Sequence, residues 1–298
     1  MKRETKDVTR DTSPYVSSFT FHESAASFFK APLDFCVLIP CYNDEPGLVE
    51  SLQSIQYEAG RYTVVVVDDG STIPIDMEVL KSSVPHIRHL QVLRLSQNSG
   101  ITTALNTGLQ WILENTSAPY IARLDCRDTC DPQRFYKQVI FLNTHTDVGL
   151  LGSWCTFRQA ATGISYTYTT PLQHEEIIKA MHLRNVFIHP TVMFRAALVQ
   201  ATGPYPYNYP HAENYAFFWK LLRVTQGAVL NESLTCCALL QHGISASNRR
   251  AQLRSRMKVV WHFGDNFILK LIGILKLCIL MVMPNTLLLR LKTDKAAN

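Results

Sequence analysis

Two apolar runs of the sequence end abruptly in aromatic, amide or acidic side chains that could bind a ligand. These side chains are Tyr42, Asn43 and Asp44 after the first run, and Asp68 and Asp69 after the second. Continuous β-branched runs predict strands that are buried on both faces of a parallel sheet. Because open α/β sheets bind ligands outside the carboxyl ends of their strands, both groups would line one crevice. The pattern indicates a nucleotide site.

Both groups also have a purely structural interpretation. Asn43 or Asp44 could cap a helix that begins near Pro46, and Asp69 followed by Gly70 favours a turn. Against this, an aromatic ring beside an amide and a carboxylate can stack on a base and accept its N–H groups. Paired carboxylates at a buried strand end also need partners, which is a mild indication of function. The two interpretations are compatible.

A polar, glycine-bearing segment from Asn98 to Gly108 opens a predicted helix. Free backbone N–H groups and the positive end of the helix dipole suit a diphosphate or a ribose. We therefore include Asn98 and Gly100 among the candidate nucleotide-binding residues. The alternative is that Asn98 or Ser99 only caps the helix.

The segment from Arg123 to Asp128 contains two carboxylates, Asp125 and Asp128, directly after another predicted buried strand. Carboxylate oxygens are hard ligands, suited to a Mg²⁺ or Mn²⁺ ion that neutralises a diphosphate. The alternative is a salt-bridge cluster, because Arg127 lies inside the motif and could pair with either aspartate. The sequence predicts a divalent metal site, with Arg123 as a candidate nucleotide contact.

Strands and helices alternate in the first half of the chain, which predicts βαβ units with right-handed crossovers. The predicted strands are 36–40, 63–67, 90–95, 120–124, 148–157 and 165–169. The predicted helices are 46–56, 101–114, 132–143, 175–182 and 213–224, and a loop is expected between the second and third strands. We predict an α/β fold: a Rossmann-like, mixed, mostly parallel sheet flanked by helices.

Composition narrows the class of protein. The chain has 298 residues, of which 47% are hydrophobic and 18% charged, and this excludes a disordered or many-span membrane protein. The net charge of +5 lies largely in residues 249–258 and beyond, which favours an anionic membrane or a phosphate-bearing substrate over nucleic acid. The eight cysteines lack zinc-site spacing, so we expect free thiols in a reducing cytosol. We also expect no signal peptide, because no apolar segment follows the charged residues 1–10.

The segment 267–283 is almost continuously apolar but is interrupted by Lys270 and Lys276. These lysines favour a helix that lies in the membrane interface over one that crosses the bilayer. The alternative is a helix packed on the protein's own core or in a dimer interface. We predict a poorly ordered N-terminal arm at 1–33, one α/β domain at 34–250 with its nucleotide-binding half ending near residue 150, and a basic, apolar helical tail at 251–298.

In their order and spacing, these motifs resemble the family-2 inverting glycosyltransferases of the GT-A fold, over about residues 34–250. Further matching segments are 131–138, 148–154, 189–195, the Gly203-Pro-Tyr region and 212–215. The resemblance implies a nucleotide-diphospho-sugar donor, with a UDP-sugar expected, and a hydroxyl acceptor in the half after residue 150.

The resemblance also implies roles for the candidate residues. Those expected to hold the base and ribose are Pro40, Tyr42, Asp44, Asp68 and Asp69. Asp125 and Asp128 would hold Mn²⁺ or Mg²⁺ against the donor diphosphate. In such enzymes a carboxylate, usually the second residue of a Glu-Asp pair, deprotonates the acceptor, which attacks the anomeric carbon with inversion.

The chain departs from the family pattern at three positions. Arg127 replaces a carboxylate of the usual Asp-Ala-Asp-Asp motif, and Asn214 follows Glu213 where an aspartate is usual. Leu240 replaces an arginine that relatives often carry two residues before His242. Three interpretations remain open. Glu213 could serve as the base. The metal could be held by Asp125 or Asp128 alone, or Arg127 could partly replace it as a charge on the diphosphate. The third is that the chain binds a nucleotide sugar but turns it over poorly or not at all.

Two histidines are further candidates. His189 could contact the acceptor or the donor phosphate, or could be satisfied by backbone partners; His242 begins a stretch similar to a loop that closes over the diphosphate in relatives. We predict sugar transfer to a surface polysaccharide, lipopolysaccharide or lipid-linked glycan by a protein peripheral on the cytoplasmic face of the membrane. The alternative is a catalytically impaired nucleotide-sugar-binding homologue that acts as a scaffold or regulator.

Overall fold

The computed structural model describes residues 33–159, 162–239 and 248–283. The predicted N-terminal arm, apart from Leu33, lies outside the described residues. The same is true of His242, of Leu240 and of the end of the predicted tail, residues 284–298.

The strands of the first half form the parallel sheet that their β-branched runs predict. These strands are β1 (Phe35–Cys41), β2 (Tyr62–Asp68), β3 (Leu90–Arg94) and β4 (Tyr120–Arg123). Their order in the sheet is β3-β2-β1-β4, and every neighbouring pair is parallel. All residues of β1, β2 and β4 are buried, because helices cover both faces of the sheet. The carboxyl ends of β1, β2 and β4 therefore open on one edge.

The second half extends the same sheet with antiparallel pairs. Its strands are β5 (Thr129–Cys130), β6 (Val148–Arg158), β7 (Ser165–Tyr168), β8 (Met193–Arg195) and β9 (Gln226–Ala238). The order continues β4-β8-β6-β9-β5, with β7 on β6; β8 runs antiparallel to both β4 and β6, whereas β9 is parallel to β6. The predicted mixed α/β sheet is confirmed.

Helices cover the two faces of this sheet. The helices are α1 (Glu45–Gln53), α2 (Met77–Ser83), α3 (Ile101–Asn115), α4 (Arg134–Thr144), α5 (His174–Met181), α6 (Ala196–Thr202), α7 (Glu213–Leu222), α8 (Arg249–Phe263) and α9 (Phe267–Val282). In α3, the predicted stripe buries Leu105, Leu109 and Ile112 against one core cluster. Where a loop was predicted, α2 forms instead, because the Asp76 carboxylate accepts hydrogen bonds from the N–H groups of Glu78 and Val79.

The last two helices pack against the body of the protein. Leu253, Val259 and Val260 of α8 and Leu277 of α9 belong to the same buried cluster as α3 and α7. Within the described residues, none of the helices is long and apolar enough to span a bilayer. The division of the chain at residue 250 remains a prediction.

Candidate active site

Arg123, at the end of β4, is the buried centre of the site. Its side chain is 0% exposed, and its Nη2 donates to Asp125 Oδ1 at 2.6 Å. Its Nη1 donates to the carbonyl oxygens of Leu38 and Leu124, and its Nε to His189 Nε2 at 3.2 Å. These partners keep the guanidinium inside the protein, in a position suited to fixing Asp125. A contact of Arg123 with the nucleotide stays a prediction.

Asp125 and Asp128 stand at the two ends of one tight turn, closed by a hydrogen bond of 3.1 Å from the N–H of Asp128 to the carbonyl of Asp125. The Asp125 side chain is 37% exposed, whereas Asp128 is buried and its Oδ1 accepts from the N–H of Ala238 at 2.8 Å. Burial, and next the negative charge of Asp125, raise the pKa of Asp128 to about 8.

The carboxylates of Asp125 and Asp128 can be compared with what the predicted divalent cation requires. Burial and the neighbouring charge of Asp125 both oppose a negative charge on Asp128, as its raised pKa shows, and a bound cation would offset both costs. The described residues contain no cluster of three or more histidine, cysteine, aspartate or glutamate side chains that could hold a metal ion. Asp125 and Asp128 supply oxygen donors of the kind that a divalent cation binds, and their binding of Mn²⁺ or Mg²⁺ stays a prediction.

Arg127 occupies the tip of the same turn. Its φ of 71° lies in the left-handed region, which costs a non-glycine residue about 1 kcal/mol or more. Its N–H donates to the carbonyl of Gly47 at 3.0 Å, and its Nη2 donates to Asp44 Oδ1 at 2.6 Å. Asp44 also accepts from the N–H of Gly47 at 3.1 Å and so caps α1, as one of the two interpretations held. Asp44 is thus both a cap and the partner of a cation.

The carboxylates of Asp68 and Asp69 accept hydrogen bonds from other parts of the protein. Asp68 Oδ1 accepts from the N–H of Ser71 at 2.9 Å and its Oδ2 from Arg94 Nη1 at 2.7 Å. Asp69 accepts from the N–H groups of Ser99 at 2.8 Å and Gly100 at 3.0 Å. Both carboxylates are almost fully buried. Their oxygens therefore already have partners within the protein, and their role in holding the base and ribose stays a prediction.

The same bonds change the interpretation of the loop before α3. The N–H groups expected to receive a diphosphate instead bind the Asp69 carboxylate, and Gly100 N–H also donates to Asn98 Oδ1 at 3.2 Å. The helix is therefore capped from a neighbouring strand, and Gly100 (φ 87°) supplies the left-handed backbone at its start. Asn98 and Gly100 serve the start of α3.

Tyr42 is the ring that remains open at the end of β1, with 47% of its surface exposed. The next residue, Asn43, fastens this strand end to the loop after β2: its N–H donates to Ser71 Oγ and its Oδ1 accepts from Thr72 N–H, both at 2.8 Å. Pro40 is buried, and its carbonyl accepts from Cys126 Sγ at 3.3 Å. A base can stack on Tyr42, whereas Pro40 contributes to the wall behind it.

Glu213 is the first residue of α7. Its side chain is almost fully buried, and within the described part of the chain its Oε2 has no hydrogen-bond partner. Burial, reinforced by the charge of Asp125, raises its pKa. The amide of Asn214 is used locally, because its Oδ1 accepts from the N–H of Tyr215 at 2.7 Å. Of the two residues, only Glu213 presents an uncommitted carboxylate oxygen.

His189 is joined to Arg123 through side chains rather than satisfied by backbone partners. Its Nε2 also contacts the hydroxyl of Tyr205 at 2.9 Å. Burial and the nearby Arg123 charge lower its pKa well below the ordinary value, so the ring is a neutral acceptor. Sequence reasoning missed Tyr205 as a site residue, although its segment was noted. The sequence carries no signal for it, and only the structure shows that the Asn106 side chain binds both the N–H and the carbonyl of Tyr205 at 2.9 Å.

Acidic residues follow three parallel strands, an exposed ring lies beside the first of them, and a buried glutamate begins α7. This arrangement agrees with transferases of the GT-A type. The model of the family described as Glycosyl transferase family 2 matches residues 36–202, which is more than half of the chain. The chain belongs to this family, as the resemblance implied.

Curated relatives agree with this assignment. The amylovoran biosynthesis glycosyltransferase AmsE of Erwinia amylovora is 28% identical over 191 residues, covering 63% of this chain and 69% of AmsE. An Escherichia coli UDP-Gal:alpha-D-GlcNAc-diphosphoundecaprenol beta-1,3-galactosyltransferase is 27% identical over 191 residues, covering 63% of this chain and 67% of that enzyme. An uncharacterized glycosyltransferase of Haemophilus influenzae is 32% identical over 179 residues, which is 64% of its length. The chain thus spans about two thirds of the relatives it matches.

Solved structures share the fold. TarS of S. aureus in complex with UDP-GlcNAc superposes with a TM-score of 0.60 at 18% identity, covering 81% of this chain and 70% of TarS. The mannosyltransferase PcManGT from Pyrobaculum calidifontis, in complex with GDP-Man and Mn²⁺, gives a TM-score of 0.60 at 14% identity, covering 95% of this chain and 84% of PcManGT. The predicted GT-A fold is confirmed.

Proposed function

We propose that the chain transfers a sugar from a nucleotide-diphospho-sugar, with a UDP-sugar expected, to an acceptor hydroxyl with inversion, and that Glu213 is the general base. The observation that carries this proposal is the uncommitted Oε2 of Glu213 at the start of α7. A carboxylate with a raised pKa is better matched to removing a hydroxyl proton near neutral pH than an ordinary glutamate. Neutral Asn214 cannot accept that proton.

The chain's own residues supply the rest of the reaction. The Tyr42 ring stacks on the base, and the fixed Asp125 carboxylate lies on the diphosphate side of the crevice. The acceptor oxygen, deprotonated by Glu213, attacks the anomeric carbon opposite the leaving diphosphate, which inverts the configuration. Asp125 and Asp128 would hold a divalent cation, which stabilises the charge of the leaving diphosphate when bound. The relatives support a glycan or lipid-linked acceptor, because one of them is named for a diphosphoundecaprenol substrate.

The test compares Glu213→Gln with wild type in sugar transfer, with UDP affinity as the second readout. We expect turnover to fall by about 100-fold or more with UDP affinity unchanged, because only the proton acceptor is lost. Glu232→Gln, an exposed glutamate paired with Lys137, is the matched control and should behave as wild type. Unchanged turnover in Glu213→Gln would remove Glu213 from the mechanism. A retained anomeric configuration, measured by NMR of the product, would overturn inversion.

The second candidate function is a nucleotide-sugar-binding homologue without turnover, acting as a scaffold or regulator. Asn214 favours it, since an amide stands where the family usually has the base. Asn214→Asp discriminates between the two. If wild type binds UDP without transferring sugar and Asn214→Asp acquires transfer, the second function is correct. If wild type transfers sugar and Asn214→Asp changes little, Glu213 is sufficient.

We also propose that α8 and α9 dock peripherally on the cytoplasmic face of an anionic membrane. The α9 helix leaves a row of large apolar side chains exposed: Phe267, Ile268, Leu271, Ile272, Leu275, Ile279 and Val282. Exposed Trp261 of α8 lies under Lys270, whose ammonium is 5.3 Å from the ring centroid. Residues 249–283 contain one acidic residue, Asp265, against seven basic ones: Arg249, Arg250, Arg254, Arg256, Lys258, Lys270 and Lys276. Apolar surface flanked by basic residues fits anionic headgroups.

Cosedimentation with vesicles tests this docking. We expect binding to vesicles that contain anionic phospholipid, weaker binding to zwitterionic vesicles, and loss of binding in Leu271→Glu with Leu275→Glu. Ile73→Glu, which charges an exposed apolar residue outside these helices, should bind as wild type does. A full chain that stays in the supernatant with anionic vesicles overturns the proposal. Sedimentation as a dimer that the paired Glu variant disrupts would assign the surface to a second copy.

A further inference from the structure

The turn from Asp125 to Asp128 carries a cation at its tip, between the two carboxylates. The chain holds Arg127 there in spite of its left-handed backbone, a conformation that favours glycine or asparagine at this turn position. The N–H of Arg127 is tied to Gly47 O at 3.0 Å. The aliphatic stem lies over Gly47, where an added Cβ would come within 2.5 Å of Arg127 Cγ. Arg127 is therefore built into the crevice, with Gly47 leaving the space for its side chain.

The ion pair between Arg127 and Asp44 is weak. Nη2 of Arg127 donates to Asp44 Oδ1 at 2.6 Å, but the Arg127 side chain is 42% exposed and that of Asp44 19%. Water screens an ion pair with this exposure, so the pair adds little to stability. A guanidinium binds phosphate oxygens through paired, charge-assisted hydrogen bonds, which are stronger than a screened surface pair. Exchange of Asp44 for a phosphate is therefore favourable.

Electrostatics favour such an exchange when a diphosphate binds. The partly exposed carboxylates of Asp44 and Asp125 lie at the crevice, so a diphosphate without a counter-ion would meet like charge. Arg94 and Arg123 are already committed to Asp68 and Asp125. Arg127 lies on the turn that carries Asp125, next to the place where the diphosphate is expected.

We propose that Arg127 leaves Asp44 and binds the donor diphosphate, and that this move frees Asp44 for the nucleoside; the inference rests on the proposed nucleotide-diphospho-sugar donor. The guanidinium thus supplies part of the positive charge that the usual acidic motif obtains from a metal ion. Binding of the diphosphate then depends less on a divalent cation than it would with a carboxylate at position 127. Asp44 acts as a latch that holds Arg127 when the donor is absent.

The test measures the affinities of UDP and of uridine by calorimetry in chelator and in Mn²⁺. For Arg127→Gln in chelator, we expect UDP affinity to fall by about tenfold to 100-fold, the range of a hydrogen bond to a charged group. Uridine affinity should stay unchanged or rise, because uridine has no phosphate and Asp44 is free. Arg127→Lys keeps the charge and should restore part of the UDP affinity. Arg127→Asp should make UDP binding strongly dependent on Mn²⁺.

Arg61→Gln is the matched control. Arg61 pairs with Asp34 at 2.9 Å, with side chains 51% and 20% exposed, at the opposite end of β1. This variant should bind UDP as wild type does, and an equal loss there would overturn the assignment to Arg127. Equal losses of UDP and uridine affinity in Arg127→Gln, or no loss of either, also overturn it. If wild type binds neither UDP nor GDP under any condition, the proposed donor fails together with this inference, whereas the other outcomes leave the donor intact.

Discussion

The guanidinium of Arg123 is completely buried and lies 2.6 Å from Oδ1 of Asp125, whose side chain is partly exposed. One member of this ion pair is therefore inside the protein and the other faces the crevice. The remaining hydrogen bonds of Arg123 go to neutral groups, namely His189 and two backbone carbonyls. Among these partners, Asp125 alone carries the charge that compensates the buried cation.

This asymmetry predicts a strong coupling between the two residues. Asp125→Ala should destabilise the protein by about 3 kcal/mol or more, because it leaves Arg123 buried without a counter-charge. Arg123→Met combined with Asp125→Ala should cost clearly less than the sum of the two single variants, since the uncompensated charge is gone. Urea denaturation of all four proteins measures the coupling, and additive losses would contradict it. Arg61→Met, which breaks an exposed pair, should cost about 1 kcal/mol or less.

The cap of α3 gives a second prediction. Asp69→Ala removes the acceptor for the N–H groups of Ser99 and Gly100, and burial prevents water from fully replacing it. We expect a loss of about 1 to 2 kcal/mol in the free energy of unfolding. Asp76→Ala is the matched control, since it removes a two-bond cap from the exposed start of α2 and should cost less. Equal losses in urea unfolding would show that burial adds nothing to this cap.

A third prediction concerns the pH dependence of transfer. Burial, and then the charge of Asp125, raise the pKa of Glu213 above its ordinary value of 4.5. A general base works only when deprotonated, so turnover should fall by about tenfold per pH unit as pH drops below this raised pKa. The acid limb should therefore lie at higher pH than an ordinary glutamate would give.

The control for this pH profile is the residual activity of Glu213→Gln. A glutamine does not titrate, so its residual turnover should lack the limb that Glu213 produces. If the same limb persists in the variant, another group is responsible for it.

A chelator should also reduce turnover while UDP binding survives. Transfer needs positive charge on the leaving diphosphate, whereas binding of UDP has Arg127 as well.

The parallel half of the sheet and the α3 helix could be predicted because each sequence pattern has a single physical cause. β1 and β2 are buried on both faces, so their residues are continuously apolar up to the polar strand ends. By contrast, β9 was missed, since its pairing with β6 contains register shifts and its middle residues, from Asn231 to Ser233, are polar and partly exposed. Irregular pairing removes the alternation that sequence reasoning depends on.

The candidate site, too, could be predicted from the sequence only in part. The acidic strand ends and His189 could be found from the sequence, but their partners could not. Arg94 is 26 residues from Asp68, and Tyr205 is 16 residues from His189. Only the folded sheet brings such pairs together. Arg123 lies in the predicted strand 120–124 and Arg127 outside it, but an arginine is usually exposed, so the sequence did not indicate that the Arg123 guanidinium is buried beside Asp125.

The attachment of α9 gives the last prediction. Gly273 faces the backbone of His182, and a Cβ there would come within 2.0 Å of the His182 carbonyl oxygen. His182 itself is fully buried and contacts the segment between α8 and α9 through a hydrogen bond of 3.2 Å from the N–H of Asn266. Gly273→Ala should therefore push α9 away from the core and destabilise it by about 1 to 3 kcal/mol.

Limited proteolysis measures this effect directly. In Gly273→Ala, cleavage between residues 264 and 283 should be faster than in wild type, whereas cleavage within the parallel sheet should not change. Leu275→Ala lies on the exposed face of the same helix and serves as the control, because it removes no contact with the core. Equal cleavage rates in Gly273→Ala and wild type would mean that α9 adapts to the added methyl group. Faster cleavage at this segment alone would establish that the close approach of Gly273 to His182 holds α9 on the protein.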